Sequence, residues 1–175
     1  MKKALLALTL LATIGVANAQ PLATGWSYGS FPDRMTDKIG HMAVLQSDER
    51  SSNGFNQVVL MCDAGSPNSA KAYLKTTRTY LGSDRIRYAY RVDGGEVINE
   101  VANNSVYNQA VTGDKKGVKV ASGQGAIDFA KKLSNAKTMA TQVSDFDGRT
   151  YGGNFDNVQQ RTEKLQNWIN ACDVK

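Results

Sequence analysis

Residues 85–95 read Arg85-Ile86-Arg87-Tyr88-Ala89-Tyr90-Arg91-Val92-Asp93-Gly94-Gly95, and the alternation in this stretch decides the fold. Ile86, Tyr88, Tyr90 and Val92 alternate with Arg85, Arg87, Ala89 and Arg91. Successive strand side chains point to opposite faces, so this predicts a strand with one apolar, aromatic face and one basic face. Asp93-Gly94-Gly95 is a turn signal, and the chain is expected to reverse there into Glu96–Val101 as a hairpin.

Short strands are also predicted on either side. His41–Gln46 is mostly apolar. Gln57–Asp63 is almost wholly apolar and bounded by Asn53-Gly54 and Gly65-Ser66-Pro67, which suits a central strand buried on both faces. Ala72–Tyr80 reads as a further strand, as do Val106–Val111 and Gly117–Ala121, with a polar turn at Gly113–Lys116 between the last two. At Gly125 the period lengthens, and Ala126, Phe129, Ala130, Leu133, Ala136, Ala140 and Val143 recur at helical spacing opposite Asp128, Lys131, Lys132 and Asn135. A polar, Gly-rich connection, Ser144–Gly153, then leads to a second helix with the stripe Val158, Leu165, Trp168, Ile169 and Cys172. Asp156 or Asn157 is placed to cap it, with Gln159 or Gln160 three residues on. The expected class is α+β: a mainly antiparallel, sandwich-like sheet packed with two helices in the C-terminal half. Helical periods do not alternate with strands, which excludes a parallel βαβ arrangement.

The chain opens with Met1-Lys2-Lys3, an apolar run Ala4–Val16 and the small-x-small site Ala17-Asn18-Ala19. This is the pattern of a cleaved secretory signal, and a run this short does not span the ~30 Å core of a bilayer. Residues 1–19 are therefore expected to be removed, leaving 20–175 as a single globular domain in the periplasm or outside the cell. In that oxidising setting Cys62 and Cys172, the two cysteines of the chain, are expected to form a disulfide. Cys172 lies on the apolar stripe of the last helix, which turns it toward the sheet where Cys62 lies. The alternative, a redox or metal-binding thiol pair, lacks C-x-x-C spacing. Cleavage also removes Lys2 and Lys3, lowering the formal net charge by two from +5. The remaining charges are interspersed, without the concentrated basic footprint that nucleic-acid binding requires.

Few motifs carry chemistry. Gly25-Trp26-Ser27-Tyr28-Gly29 fits G-x-S-x-G, with Asp33 or Asp37 and then His41 downstream. A nucleophile elbow needs a buried strand before its serine and a helix after it, and neither is available at this position. The segment reads better as a turn or edge strand with Trp26 against the core, leaving a serine hydrolase through Ser27 as the residual enzymatic reading. His41, the single histidine, is expected to be a half-buried hydrogen-bonded residue rather than a base or ligand. Asp145-Phe146-Asp147-Gly148 places Thr150 and Asp156 where a calcium loop needs Gly and Glu, so a solvated turn is expected. Gly123-Gln124-Gly125 lacks the third glycine of a phosphate loop and reads as a flexible lead-in to the helix. No pattern points to a cofactor or a metal. The suggestive surface feature is the shared face of Arg85, Arg87 and Arg91. The planar arginine fork binds carboxylates bidentately, so these three are candidate partner-binding residues, set against a merely solvated outer face.

The order of landmarks resembles the VasI-type accessory proteins associated with type VI secretion. The residues carrying it are the Trp26 segment, Met35-Thr36-Asp37, the apolar strand ending in Cys62, Tyr88-x-Tyr90-Arg91-x-Asp93, the Phe129–Ala140 helix, Phe155-Asp156, and the last helix closing on Cys172. The resemblance implies an exported, non-enzymatic, disulfide-closed domain that assists an envelope assembly, and it brings no catalytic residues. The expected function is an exported accessory or binding protein with a protein partner in the cell envelope, no nucleic acid, and no integral membrane segment after cleavage. The alternative is a periplasmic inhibitor or immunity-type protein, of phage or mobile-element origin, that blocks an envelope enzyme such as a lysozyme or toxin.

Overall fold

The computed structural model describes residues 25–32, 38–48, 56–76, 85–103, 117–144 and 147–173; of Arg85, Ala102 and Asn103 it describes the backbone only. The predicted signal, residues 1–19, and the predicted strand 106–111 lie outside the described residues. The strands are β1 (Ser27–Pro32), β2 (Ile39–Gln46), β3 (Asn56–Asp63), β4 (Lys71–Thr76), β5 (Arg85–Val92), β6 (Ile98–Asn103), β7 (Gly117–Ser122), β8 (Met139–Ser144) and β9 (Thr150–Phe155). The helices are α1 (Gln124–Ser134) and α2 (Thr162–Cys172), with a 3-10 turn at Pro67–Ser69. One sheet runs β1-β2-β3-β4-β7 and the other β6-β5-β8-β9, and every pairing is antiparallel. The class is α+β, mainly antiparallel, with two helices in the C-terminal half.

The core lies between the two sheets and the helices. β3 is central in its sheet, and Val58, Val59 and Leu60 are buried in succession, as a continuous apolar run requires. From the other sheet, Ile86, Tyr88 and Val92 of β5 enter the same core as Ala43, Leu45, Leu60 and Leu74. Tyr90 meets Phe129 of α1 edge-on, with ring centroids 5.4 Å apart. Trp26 is buried at the start of the edge strand β1, and its indole Nε1 donates to the Val158 carbonyl at 3.0 Å. Gly25 is forced there: its φ is +88°, and a Cβ would collide with the Gln160 carbonyl.

Three expectations are corrected. The helical period through Ala136, Ala140 and Val143 does not continue, because α1 stops at Ser134. Ser134 Oγ and Asn135 Nδ2 both donate to the Lys131 carbonyl, at 2.8 and 3.0 Å. The amides of Lys137 and Thr138 then donate to Asp93 Oδ1, at 2.7 and 2.8 Å, instead of to carbonyls one helical turn back. From Met139 onward the chain pairs with β5. The second correction is β9, where a Gly-rich connection was expected. Tyr151 and Phe155 point inward and Gly152 and Asn154 outward, and a Cβ at Gly153 would come within 2.7 Å of Asn56. Third, neither Asp156 nor Asn157 caps α2. Their amides donate to Asp48 Oδ2, and Asn157 Nδ2 donates to the Gln46 carbonyl at 3.1 Å, tying the end of β9 to the end of β2. The helix starts later, after Arg161 in a left-handed conformation.

Cys62 at the end of β3 and Cys172 in the last turn of α2 are disulfide-bonded across 110 residues, with Cα atoms 6.0 Å apart. Closing a loop of that length restricts the unfolded chain by about 4 to 5 kcal/mol in the entropic description. Reduction under native conditions is therefore expected to lower unfolding free energy by roughly that amount, measured by urea titration with and without reductant. The Asp93 carboxyl is held below the ordinary aspartate range chiefly by the Thr138 and Lys137 amides. A depressed carboxylate contributes stability above its unfolded pKa of about 3.9, and that contribution is lost as pH falls through the lower folded value. Asp93→Asn keeps an acceptor and tolerates the positive φ of 52°. Urea midpoints of this variant are expected to fall less steeply with acidification below about pH 4 than those of the parent.

Candidate functional site

The outward face of β5 carries Arg87, Ala89 and Arg91, and the register extends it into rows across the sheet. Asn99, Ala89, Gln142 and Gly152 stand side by side, and Arg91, Ala140 and Asn154 form the next row. Large and small residues alternate between these rows. The backbone-level floor of Ala89, Ala140 and Gly152 is overlooked by the guanidinium of Arg91 and the carboxamides of Gln142 and Asn154. The result is an open hollow of about 470 Å³, bordered on the hairpin side by Val97. A smaller hollow of about 180 Å³ continues past Arg91 and Asn154 toward Gly94, Thr138 and Asp156. Volumes of a few hundred Å³ with a few convergent polar groups are typical of binding sites.

Arg87 and Arg91 are both exposed, and among the described residues neither makes an ion pair. Arg85 has the same parity on the strand. Val97 and Val101, 49% and 44% exposed, flank the arginines on the β6 side. Val101 stands opposite Arg87. The inward face of the same hairpin is occupied differently. Tyr88 donates its hydroxyl to Glu100 Oε2 at 2.6 Å, and burial, with that carboxylate's help, pushes the phenol well above its usual range. Tyr90 stacks parallel to Tyr88 at a centroid distance of 6.5 Å, so its ring packs on the inward side although the residue also borders the hollow.

The other sequence candidates are not brought together. Ser27 lies in β1 opposite Val44 and donates its hydroxyl to that residue's carbonyl at 3.2 Å. His41 pairs with Ser30, at the opposite parity, so Ser27 and His41 lie on opposite faces of the sheet. His41 is half-buried, with its Nδ1 hydrogen-bonded to the Tyr28 hydroxyl at 2.7 Å and its ring stacked on that of Tyr28. Asp33 and Asp37 lie outside the described residues, as do Asp145 and Phe146 of the calcium-like stretch. Among the described residues no group of three or more His, Cys, Asp or Glu side chains could hold a metal ion, and no helix is long and apolar enough to cross a membrane. Gly123, with φ +56°, is the N-cap of α1, and its amide donates to the Ala70 carbonyl at 2.7 Å.

From sequence, Ala140 and Gln142 fall in a helix and Gly152 in a connection, while Asn154 belongs to no element, so these residues of the hollow are not brought together. The signal was available: Met139, Thr141 and Val143 alternate inward as cleanly as Ala136, Ala140 and Val143 recur at helical spacing. Comparison of the chain with protein-family models, curated proteins and solved structures returns no match. A serine-reactive fluorophosphonate probe is expected to leave the protein unlabelled, because the Ser27 hydroxyl has no base within reach among the described residues. Labelling that disappears in Ser27→Ala would contradict this.

Proposed function

We propose that the protein is an exported, non-enzymatic binding protein that works in the bacterial envelope through protein contacts made by the outer face of the β6-β5-β8-β9 sheet. One observation carries this reading: the basic face of β5 coincides with the hollow walled by Arg91, Gln142 and Asn154 and flanked by two exposed valines. Arginine beside apolar side chains is the composition of protein interfaces. The buried disulfide supports maturation outside the reducing cytoplasm. The resemblance to VasI-type accessory proteins supports assistance to an envelope assembly over catalysis.

A photo-crosslinking amino acid tests the reading, placed in turn at Gln142 on the proposed face and at Gln166 on the exposed side of α2. Irradiation of producing cells is expected to join one envelope protein to the Gln142 variant and not to the Gln166 variant. Equal labelling from both positions, or none from either, would overturn the proposed face. If the captured protein is a lysozyme or toxin whose activity falls on binding, the role is inhibitory instead of accessory.

A further inference from the structure

Along β5 the outward residues are Arg87, Ala89 and Arg91, and this spacing is itself a specification. Alternate residues of a strand lie about 6.6 Å apart, so the two arginines stand about 13 Å apart with a gap over Ala89 between them. Beside that gap the row continues through Gln142 to Gly152, and the floor is low again at Ala140 next to Arg91. The outward rows formed by Arg87, Ala89 and Arg91 with their neighbours Val101, Asn99, Gln142, Gly152, Ala140 and Asn154 contain no carboxylate. Asp156 borders the smaller hollow, and Glu96 precedes Val97 at the hairpin margin. The face is therefore cationic at two points, uncharged between them and hollow at the centre.

We infer that this face takes an extended acidic segment of a protein partner, with carboxylates at positions one and five and a bulky side chain at position three. The inference rests on the binding role proposed above. An extended chain repeats its side chains with the same period as β5, so acids four residues apart reach Arg87 and Arg91 together. The residue midway between them descends over Ala89 into the hollow. Gln142 and Asn154 offer carboxamides to the backbone of the segment, whose donors and acceptors are both exposed in an extended chain. Val97 and Val101 add apolar contact at one margin. A polyanionic sugar would satisfy the arginines, but among the described residues the one aromatic bordering the hollow, Tyr90, stacks its ring on Tyr88 and meets Phe129 edge-on on the inward side. A protein segment also uses the two valines, which a sugar leaves idle.

Fluorescence polarisation with the full mature chain, its disulfide intact, provides the test. The probes are labelled peptides with acids at positions one and five and Trp or Leu at position three. Isomers with the acids at positions one and four, and a sulfated oligosaccharide, serve as competitors. The one-and-five peptides are expected to bind, more weakly as salt rises, with Arg87→Gln and Arg91→Gln each lowering affinity by about threefold to tenfold. Gly152→Leu should abolish the preference for a bulky third residue by filling the hollow. A Cβ there has only the Thr141 carbonyl at 3.7 Å, an ordinary contact, so the backbone accepts the change. Arg91→Glu should lose the acidic peptide and gain one with lysine opposite position 91, which a merely misfolded variant would not do. Equal binding of the one-and-four isomers, no peptide binding up to millimolar concentration, or binding of the oligosaccharide alone would each overturn the inference. Selective photo-crosslinking from position 142 combined with any of these results would leave the binding role standing and remove the acidic motif alone.

Discussion

The carboxylate of Asp93 is the constraint on which the second sheet depends. It sits in the tight turn after β5 and receives the amides of Lys137 and Thr138, while its own amide donates to the Thr138 carbonyl at 3.0 Å. Those two amides are the donors α1 would need to add another turn. With them engaged elsewhere, the chain leaves the helix in an extended direction at the point where Val92 can pair with Met139. β8 thus becomes the neighbour of β5, and β9 can add to β8. One exposed side chain converts a stretch with helical periodicity into the centre of a four-stranded sheet.

The two sheets are then held together at several well-separated places. The disulfide fastens the end of α2 to β3, and Trp26 threads the start of β1 under the loop that precedes the same helix. At another point Asp48 gathers the amides of Asp156 and Asn157, and its own amide donates to the Asn154 carbonyl at 3.1 Å. Asn56 reaches from β3 to the Tyr151 carbonyl at 3.4 Å, close against Gly153. These links are polar or covalent and join residues about a hundred positions apart. They give a sandwich of short strands a register that apolar packing alone specifies poorly, since packing is non-directional while hydrogen bonds are not.

What could be read from the sequence follows from this division. Alternation over Arg85–Val92 and the unbroken apolar run of Gln57–Asp63 are local signals, and both became the strands they describe. Cys62 and Cys172 were legible because a helical stripe and an oxidising setting spoke for the same pair. The stretch 136–144 was not legible, because its residues satisfy periods of two and of about three and a half equally well, and the choice is made by Asp93, more than forty residues away. β9 hid behind Gly152 and Gly153, which signal a flexible connection in isolation. One glycine is required by the approach of Asn56; the other leaves an outward position empty. Of the surface site, the arginines were visible and the floor was not, since small residues announce nothing until a register places them together.

This division also accounts for where a binding surface can exist on the molecule. The inward faces of both sheets are committed: Tyr88 and Tyr90 to the core, His41 to Tyr28, and Thr141 to Asn56 and the Gly153 carbonyl. On the outward face of the first sheet, Val59 and Tyr73 are themselves buried in a small apolar cluster with Met42, Val44 and Met61. The outward face of the second sheet differs, because Arg87, Arg91, Gln142 and Asn154 stand exposed around the small residues Ala89, Ala140 and Gly152, with Val97 and Val101 exposed at its margin. A strand that had to pack on both sides, like β3, could not carry Ala89 between two arginines without leaving a void. β5 can, because Asp93 secures its neighbour β8 through hydrogen bonds to the amides of Lys137 and Thr138 that do not depend on the outward side chains of β5. The stability of the sheet and the chemistry of its outer surface are thus separated by strand parity, and residues on the outer parity are free to answer to a partner.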